Sequence, residues 1–258
     1  MYNKFEYVEQ KYLPLFPTMV MVHELKEVEE NKKEVYVALE HLFQKVKENP
    51  DERDYGGIQG QASCTNFHHY ENLQPLYTQI SARLFEYVET LYGGQFFDIS
   101  ITESWINCLT PDEHIPLHDH CDAHLSFVYY PSIPSEYESL LHFQKAKQPN
   151  DINNALVISH KSVLTQDKLN DFNTTIHSFA CKEGLLFVFP SSMQHGSCAA
   201  DDSVFEFESV VPKDRTMEYL KSNTRMSISG DVILTYNEQQ LVSRGLQPLS
   251  SWMTFASK

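Results

Sequence analysis

Residues 97–130 read FDISITESWINCLTPDEHIPLHDHCDAHLSFVYY. Two runs rich in β-branched and aromatic residues, 97–109 and 123–130, flank a stretch that Pro111 and Pro116 keep out of helix. That pattern predicts two strands joined by an irregular loop. Runs of the same kind follow: SLLHF (139–143), NALVIS (154–159), TTIHSFA (174–180), GLLFVF (184–189), SVFEFESVV (203–211) and RMSISGDVILTY (225–236). Between them Pro, Gly, Asn and Asp gather in PDEHIP, PSIPSE, QPNDINN, KEG and AADD, as turns require. Eight strands in succession predict a sandwich or barrel.

Upstream the periodicity is helical. Val35, Leu39, Leu42, Phe43 and Val46 fall on one face before Pro50, and Leu73, Leu76, Ile80, Leu84, Val88 and Leu91 form a second stripe that ends at Gly93-Gly94. Apolar stripes at this spacing are core-facing, so two helices are expected to pack on the sheet. Helices followed by strands make an α+β chain in which N-terminal helices buttress a β-sandwich.

The chain has 258 residues with no repeat and no low-complexity linker, and it reads as one domain. With 41% apolar residues it can bury a substantial core, which excludes intrinsic disorder as its main state. Its 20 basic against 35 acidic residues give a net charge of −15, the wrong sign for broad contact with a phosphate backbone, so nucleic acid is not the expected partner. The cysteines, Cys64, Cys108, Cys121, Cys181 and Cys198, are odd in number and contain no CxxC pair. A reducing cytoplasm is therefore expected rather than a disulfide framework. No run of about 18 uncharged apolar residues suggests a membrane span.

Four of the twelve histidines, His114, His118, His120 and His124, lie within HIPLHDHCDAH. In an extended loop, i and i+2 side chains share a face, and at ~3.3 Å rise the Cα atoms of His118 and His120 stand ~6.6 Å apart, close enough to converge on one metal ion. Asp119 points away, whereas Asp122 continues the ligand face. Three imidazoles, or two with a carboxylate, suit a redox metal such as Fe(II) and leave coordination positions open. A distant ligand is offered by GLLFVFPSSMQHG, where an apolar strand runs into Pro190 and a turn that delivers His195. His68 and His69, being adjacent, face opposite sides and read as a helix-entry feature; His142, His160 and His177 read as packed or exposed single histidines. In RMSIS, Arg225 and Ser227 share one strand face, where a guanidinium fork and a hydroxyl can hold a carboxylate together.

These residues resemble the 2-oxoglutarate- and Fe(II)-dependent oxygenases, in particular their prolyl-hydroxylase-like branch with its short bacterial and phage members. LFPTMVMVHEL (15–25), ESWINCLTPDEHIPLHDHCDAHLSFVYYPSIP (103–134), LLFVFPSSMQHG (185–196) and TRMSISGDV (224–232) carry the resemblance, in the expected order over nearly the whole chain. The second and third are the specific ones.

The resemblance implies a double-stranded β-helix, or jelly roll, with iron at one open end, in a single domain spanning 1–258. Residues 1–95 would be mainly helical support, 96–235 the jelly-roll core and 236–258 a C-terminal extension. It implies that His118, His120 and His195 ligate Fe(II), with Asp122 the alternative for the carboxylate position of the commoner HxD motif. Arg225 and Ser227 would clamp the far carboxylate of 2-oxoglutarate, Tyr130 would reach the same carboxylate, and Asn107 would line the co-substrate pocket. The 29 residues between His195 and Arg225 exceed the usual connection; Arg215, in PKDRTMEYL, lacks the strand pattern that would make it a substitute.

The implied reaction is hydroxylation of a C–H bond of a peptide, amino acid or small metabolite, consuming O2 and 2-oxoglutarate and releasing succinate and CO2. Two other readings use the same strands: a cupin-type dioxygenase or isomerase with no need of 2-oxoglutarate or Arg225, and a non-enzymatic jelly-roll binding module. Loops at the mouth, rather than the motifs, determine the substrate.

Overall fold

Among the described residues a strand comes first: β1 (Met21–Glu24) precedes α1 (Val28–Glu48) and α2 (Gln74–Tyr92). The computed structural model describes residues 18–48, 66–94, 96–135, 137, 139–144, 176–197, 216–237 and 240. After α2 come β2 (Phe97–Leu109), β3 (Leu125–Ser132), β4 (Leu140–Gln144), β5 (Ile176–Ala180), β6 (Leu185–Pro190), β7 (Gln194–Gly196), a short helix α3 (Met217–Asn223) and β8 (Arg225–Tyr236). The expected strands at 154–159 and 203–211 lie outside the described residues, as do Cys64, Cys198, His160, Arg215 and most of the C-terminal extension.

Both predicted helices form for the predicted reason. In α1, Val35, Ala38, Leu39, Leu42 and Phe43 are buried, while Glu29 and Glu30 in the first turn meet the positive end of the helix dipole. In α2, Leu76, Ile80, Leu84, Tyr87 and Val88 are buried, and each fully buried aliphatic side chain contributes roughly 1.5–3 kcal/mol. Gly93 ends the helix at φ 73°, its N–H donating to Glu89 O at 2.7 Å, a left-handed cap that glycine adopts without a steric penalty. Leu91, read as part of the stripe, is instead 43% exposed in the last turn.

The strands form two sheets, one ordered β1-β6-β3-β8-β2 and one ordered β5-β4-β7, with every pairing antiparallel. The larger sheet is covered on both faces, which explains why β3 is buried at every position rather than alternately. One face, with Ile106, Phe127, Tyr129, Leu186, Val188, Ile228 and Val232, packs on α1 and α2. The other, with Val128, Tyr130, Phe187 and Phe189, packs on Leu141 and Phe143 of the smaller sheet. The two sheets face each other as a double-stranded β-helix buttressed by helices, an α+β arrangement. The four-residue β1 pairs with the outer edge of β6 and so caps an edge that would otherwise expose unpaired backbone groups.

One irregularity shapes the site. In β2 the register with β8 shifts between Ile101 and Glu103. Before that bulge Ile99 and Ile101 pack toward the helices; after it Ile106 and Cys108 do, so Glu103, Trp105 and Asn107 turn to the inner face.

Candidate metal and co-substrate site

The inner face of the larger sheet closes around a cavity of about 320 Å³, lined by His118, His120 and His195 as well as Arg225, Ser227, Tyr130 and Asn107. The structure therefore brings together the three expected metal ligands and the four expected co-substrate residues.

Backbone hydrogen bonds place the histidines. His118 and His195 form an isolated antiparallel bridge, each N–H donating to the other's carbonyl at 3.0 and 2.9 Å, and His120 N–H donates to Ser191 O at 2.9 Å. Ile115 O accepts from Ser197 N at 2.8 Å, fastening the loop that carries the HxH pair over β7. Gly196 permits that approach: a Cβ there would stand 2.7 Å from Ile115 O and 2.8 Å from Pro116 O.

One ring nitrogen of each of the three histidines lies within 4.8 Å of the others, and among the described residues no other group of His, Cys, Asp or Glu converges in this way. Nδ1 of His118 faces Pro116 O and Nδ1 of His195 faces Met193 O, both at 2.9 Å. Carbonyl oxygens only accept, so these rings carry their proton on Nδ1 and leave Nε2 with a lone pair. His120 Nδ1 lies 2.6 Å from Asp231 Oδ1, a carboxylate that also accepts from Ser126 Oγ at 2.8 Å. Three outward-held protons and three converging lone pairs fit a divalent transition metal such as iron, and partners on the second nitrogen fix ring orientation in such sites. Asp122 is exposed in the following turn and is not part of the convergent group.

Burial, and then the neighbouring His118, push the pKa of His195 down to about 3; burial also lowers that of His118. In the unfolded chain a histidine titrates near 6.5. Between about pH 3 and 6.5 the unfolded chain thus binds the extra proton, so stability present above pH 6.5 is lost as the pH falls. The metal-free protein is expected to lose about 2 kcal/mol through His195 alone between pH 7.5 and pH 5. Urea unfolding at the two pH values checks this, and His195→Gln should flatten the difference; the same pH dependence in both proteins refutes it.

At the other end of the cavity Arg225 is buried, its Nη1 donating to Ser139 Oγ at 3.1 Å and Leu140 O at 3.4 Å, while its Nε is buried without a partner. Its guanidinium carbon lies 5.9 Å from the centroid of the Tyr130 ring. The Tyr130 hydroxyl bonds with the Cys181 thiol, and complete burial raises the phenol's pKa well above its ordinary value. Asn107 pairs with Ser227 in the β2–β8 register, both side chains buried. An unpaired N–H of a buried cation beside a hydroxyl and an amide fits an anionic oxygen ligand. The long connection before Arg225 contains α3, capped by Thr216 Oγ1 accepting from Tyr219 N–H at 3.1 Å and anchored by the buried Leu220.

The remaining histidines act elsewhere. His124 Nδ1 accepts from Leu234 N–H at 2.9 Å, His142 Nδ1 meets Ser178 Oγ at 2.7 Å, and His68 and His69 close a short helical turn (Phe67–His69) that a second turn (Glu71–Leu73) separates from α2, their rings 4.2 Å apart rather than on opposite sides. Sequence reasoning missed Asp231, Ser126, Glu103 and Trp105. A signal existed for Asp231: Arg225, Ser227, Ser229 and Asp231 follow the strand period of two and share a face. Trp105, stacked on His120 at 5.6 Å and 25°, was hidden because the β2 bulge sets its direction.

Residues 103–205 match the family described as "Putative 2OG-Fe(II) oxygenase". No curated protein matches the sequence. Among solved structures, an oxidoreductase of the 2OG-Fe(II) oxygenase family from Burkholderia pseudomallei is 13% identical, with a TM-score of 0.36 over 69% of this chain and 65% of that one. This chain thus spans just under two thirds of that protein's length. A Pseudomonas putida prolyl-4-hydroxylase is 12% identical (TM-score 0.41; 83% of this chain, 86% of that one). SnoK, a non-heme alpha-ketoglutarate-dependent carbocyclase from nogalamycin biosynthesis, is 14% identical (TM-score 0.46; 90% and 87%).

Proposed function

We propose that this chain is a 2-oxoglutarate- and Fe(II)-dependent oxygenase in which His118, His120 and His195 hold the iron and Arg225, with Ser227, anchors the far carboxylate of the co-substrate. The carrying observation is one cavity with converging imidazole lone pairs at one end and a buried guanidinium with an unpartnered Nε at the other. When bound, the iron with 2-oxoglutarate supplies the oxidising chemistry: one oxygen atom of O2 enters a substrate C–H bond, the other enters succinate, and CO2 leaves.

The protein's share is placement and shielding. Pro116 O, Met193 O and Asp231 hold the three rings in the tautomer that ligates. Tyr130 supports the guanidinium through its ring face, and Asn107 borders the pocket beside Ser227. Val128, Leu141 and Ile115 supply apolar wall, which keeps water from the co-substrate. The reaction hydroxylates a peptide, amino acid or small metabolite in this reading. A single-domain chain is supported by the pairing of β1 with β6 and by the helices packed on the large sheet. A cytoplasmic setting is supported by the cysteine pattern, and no described helix is long and apolar enough to cross a membrane.

The test is succinate formation from 2-oxoglutarate by the iron-loaded protein in air, with and without candidate substrates. Turnover is expected, and faster with a true substrate. A protein that binds iron yet never forms succinate is not an oxygenase of this kind, and the cupin-type reading would replace it.

A further inference from the structure

We propose that the substrate carries a cationic group, an ammonium or guanidinium, received at the metal end of the cavity by the carboxylate of Glu103 and the face of Trp105. The inference rests on the reading of this cavity as the iron and 2-oxoglutarate site and adds to it the chemical class of the third ligand.

The β2 bulge carries the first argument. Without the shift between Ile101 and Glu103, strand alternation would keep Glu103 and Trp105 on the helix-facing side with Ile99 and Ile101; with it they line the cavity. Bulges re-aim side chains in this way beside functional sites.

Charge carries the second. Glu103 pairs directly with Asp231 across β2 and β8, and both line the cavity. Like charges opposite one another in a sheet are destabilising. Asp231 has partners in His120 and Ser126, whereas the Glu103 side chain, exposed to solvent where it lines the cavity, has no hydrogen bond or ion pair among the described residues. Among the described residues that line the cavity the lone full positive charge, Arg225, is six residues along β8 from Asp231, ~20 Å at the rise of a strand. A dication and the 2-oxoglutarate dianion cancel, so with neutral imidazoles the loaded site keeps a net charge of about −1, concentrated where Glu103 stands.

Trp105 completes the arrangement. Its ring stacks on His120, which places an indole face in the wall two residues from Glu103, and an indole beside a carboxylate is a recognised way to hold a cation. The same wall disfavours a phosphorylated or carboxylate-bearing substrate.

The experiment uses the full chain loaded anaerobically with Fe(II) and 2-oxoglutarate, and three matched probes: the Nα-acetyl methylamides of lysine, norleucine and glutamate. Calorimetry is expected to give roughly tenfold tighter binding of the lysine compound than of the norleucine compound, with the glutamate compound weakest. Glu103→Gln should erase the lysine advantage while iron content and 2-oxoglutarate affinity stay at wild-type values. Equal or undetectable binding of the three probes, or a lysine advantage that survives Glu103→Gln, overturns the proposal. Failure of the wild-type protein to bind iron or 2-oxoglutarate at all counts against the oxygenase site instead.

Discussion

His195→Ala is expected to purify without bound iron, and the wild-type protein with about one Fe(II) per chain, because removing one of three ligands leaves a two-point site. His120→Ala should behave in the same way. The expectation is strong because the three rings are pre-aimed: each Nδ1 already has an acceptor, so no reorganisation is needed to present Nε2. Asp231→Asn should be milder, a loss of roughly 10–100-fold in metal affinity, since it keeps an acceptor for His120 but removes the charge. Comparing His118→Ala with Asp122→Ala decides the third ligand. The first should lose iron and the second keep it, in line with the exposed place of Asp122. Metal analysis of the purified variants reads all of these outcomes; unchanged iron in both His195→Ala and His120→Ala would end the metal reading.

Arg225→Ala should retain iron yet bind 2-oxoglutarate at least ~30-fold more weakly, because truncating one partner of a buried charge pair costs roughly 2–5 kcal/mol. The metal is spared because the guanidinium is held by Ser139 and Leu140, six residues along β8 from Asp231, the partner of His120. Arg225→Lys should recover only part of the loss: an ammonium keeps the charge and lacks the fork that presents Nε and Nη together. Anaerobic calorimetry with 2-oxoglutarate measures both variants, and a thermal melt confirms that each remains folded. If wild type and Arg225→Ala bind 2-oxoglutarate equally while His195→Ala still loses iron, either another cation serves the co-substrate or the protein works without it. Succinate formation then separates those two.

What the sequence determines by itself is what local periodicity and local chemistry encode. The stripes of α1 and α2, the left-handed stop at Gly93 and the six expected strands that fall on described residues are visible because helix and strand periods need only neighbouring residues. The spacing of His118 and His120 within one loop is visible for the same reason. Tertiary structure alone decides what depends on register between distant segments. The bridge between His118 and His195 joins a loop to a strand 77 positions further along the chain, and β7 is three residues long, too short to leave a periodic signal. The pairing of β1 with β6 inverts the simple order of helices before strands, since an edge strand is selected by the edge it covers rather than by its own four residues. The bulge in β2 reverses which residues face the cavity, and the Asp231 contact to His120 spans 111 residues. A one-residue change of register turns every later side chain to the other face of its strand, and no local pattern records where that change occurs.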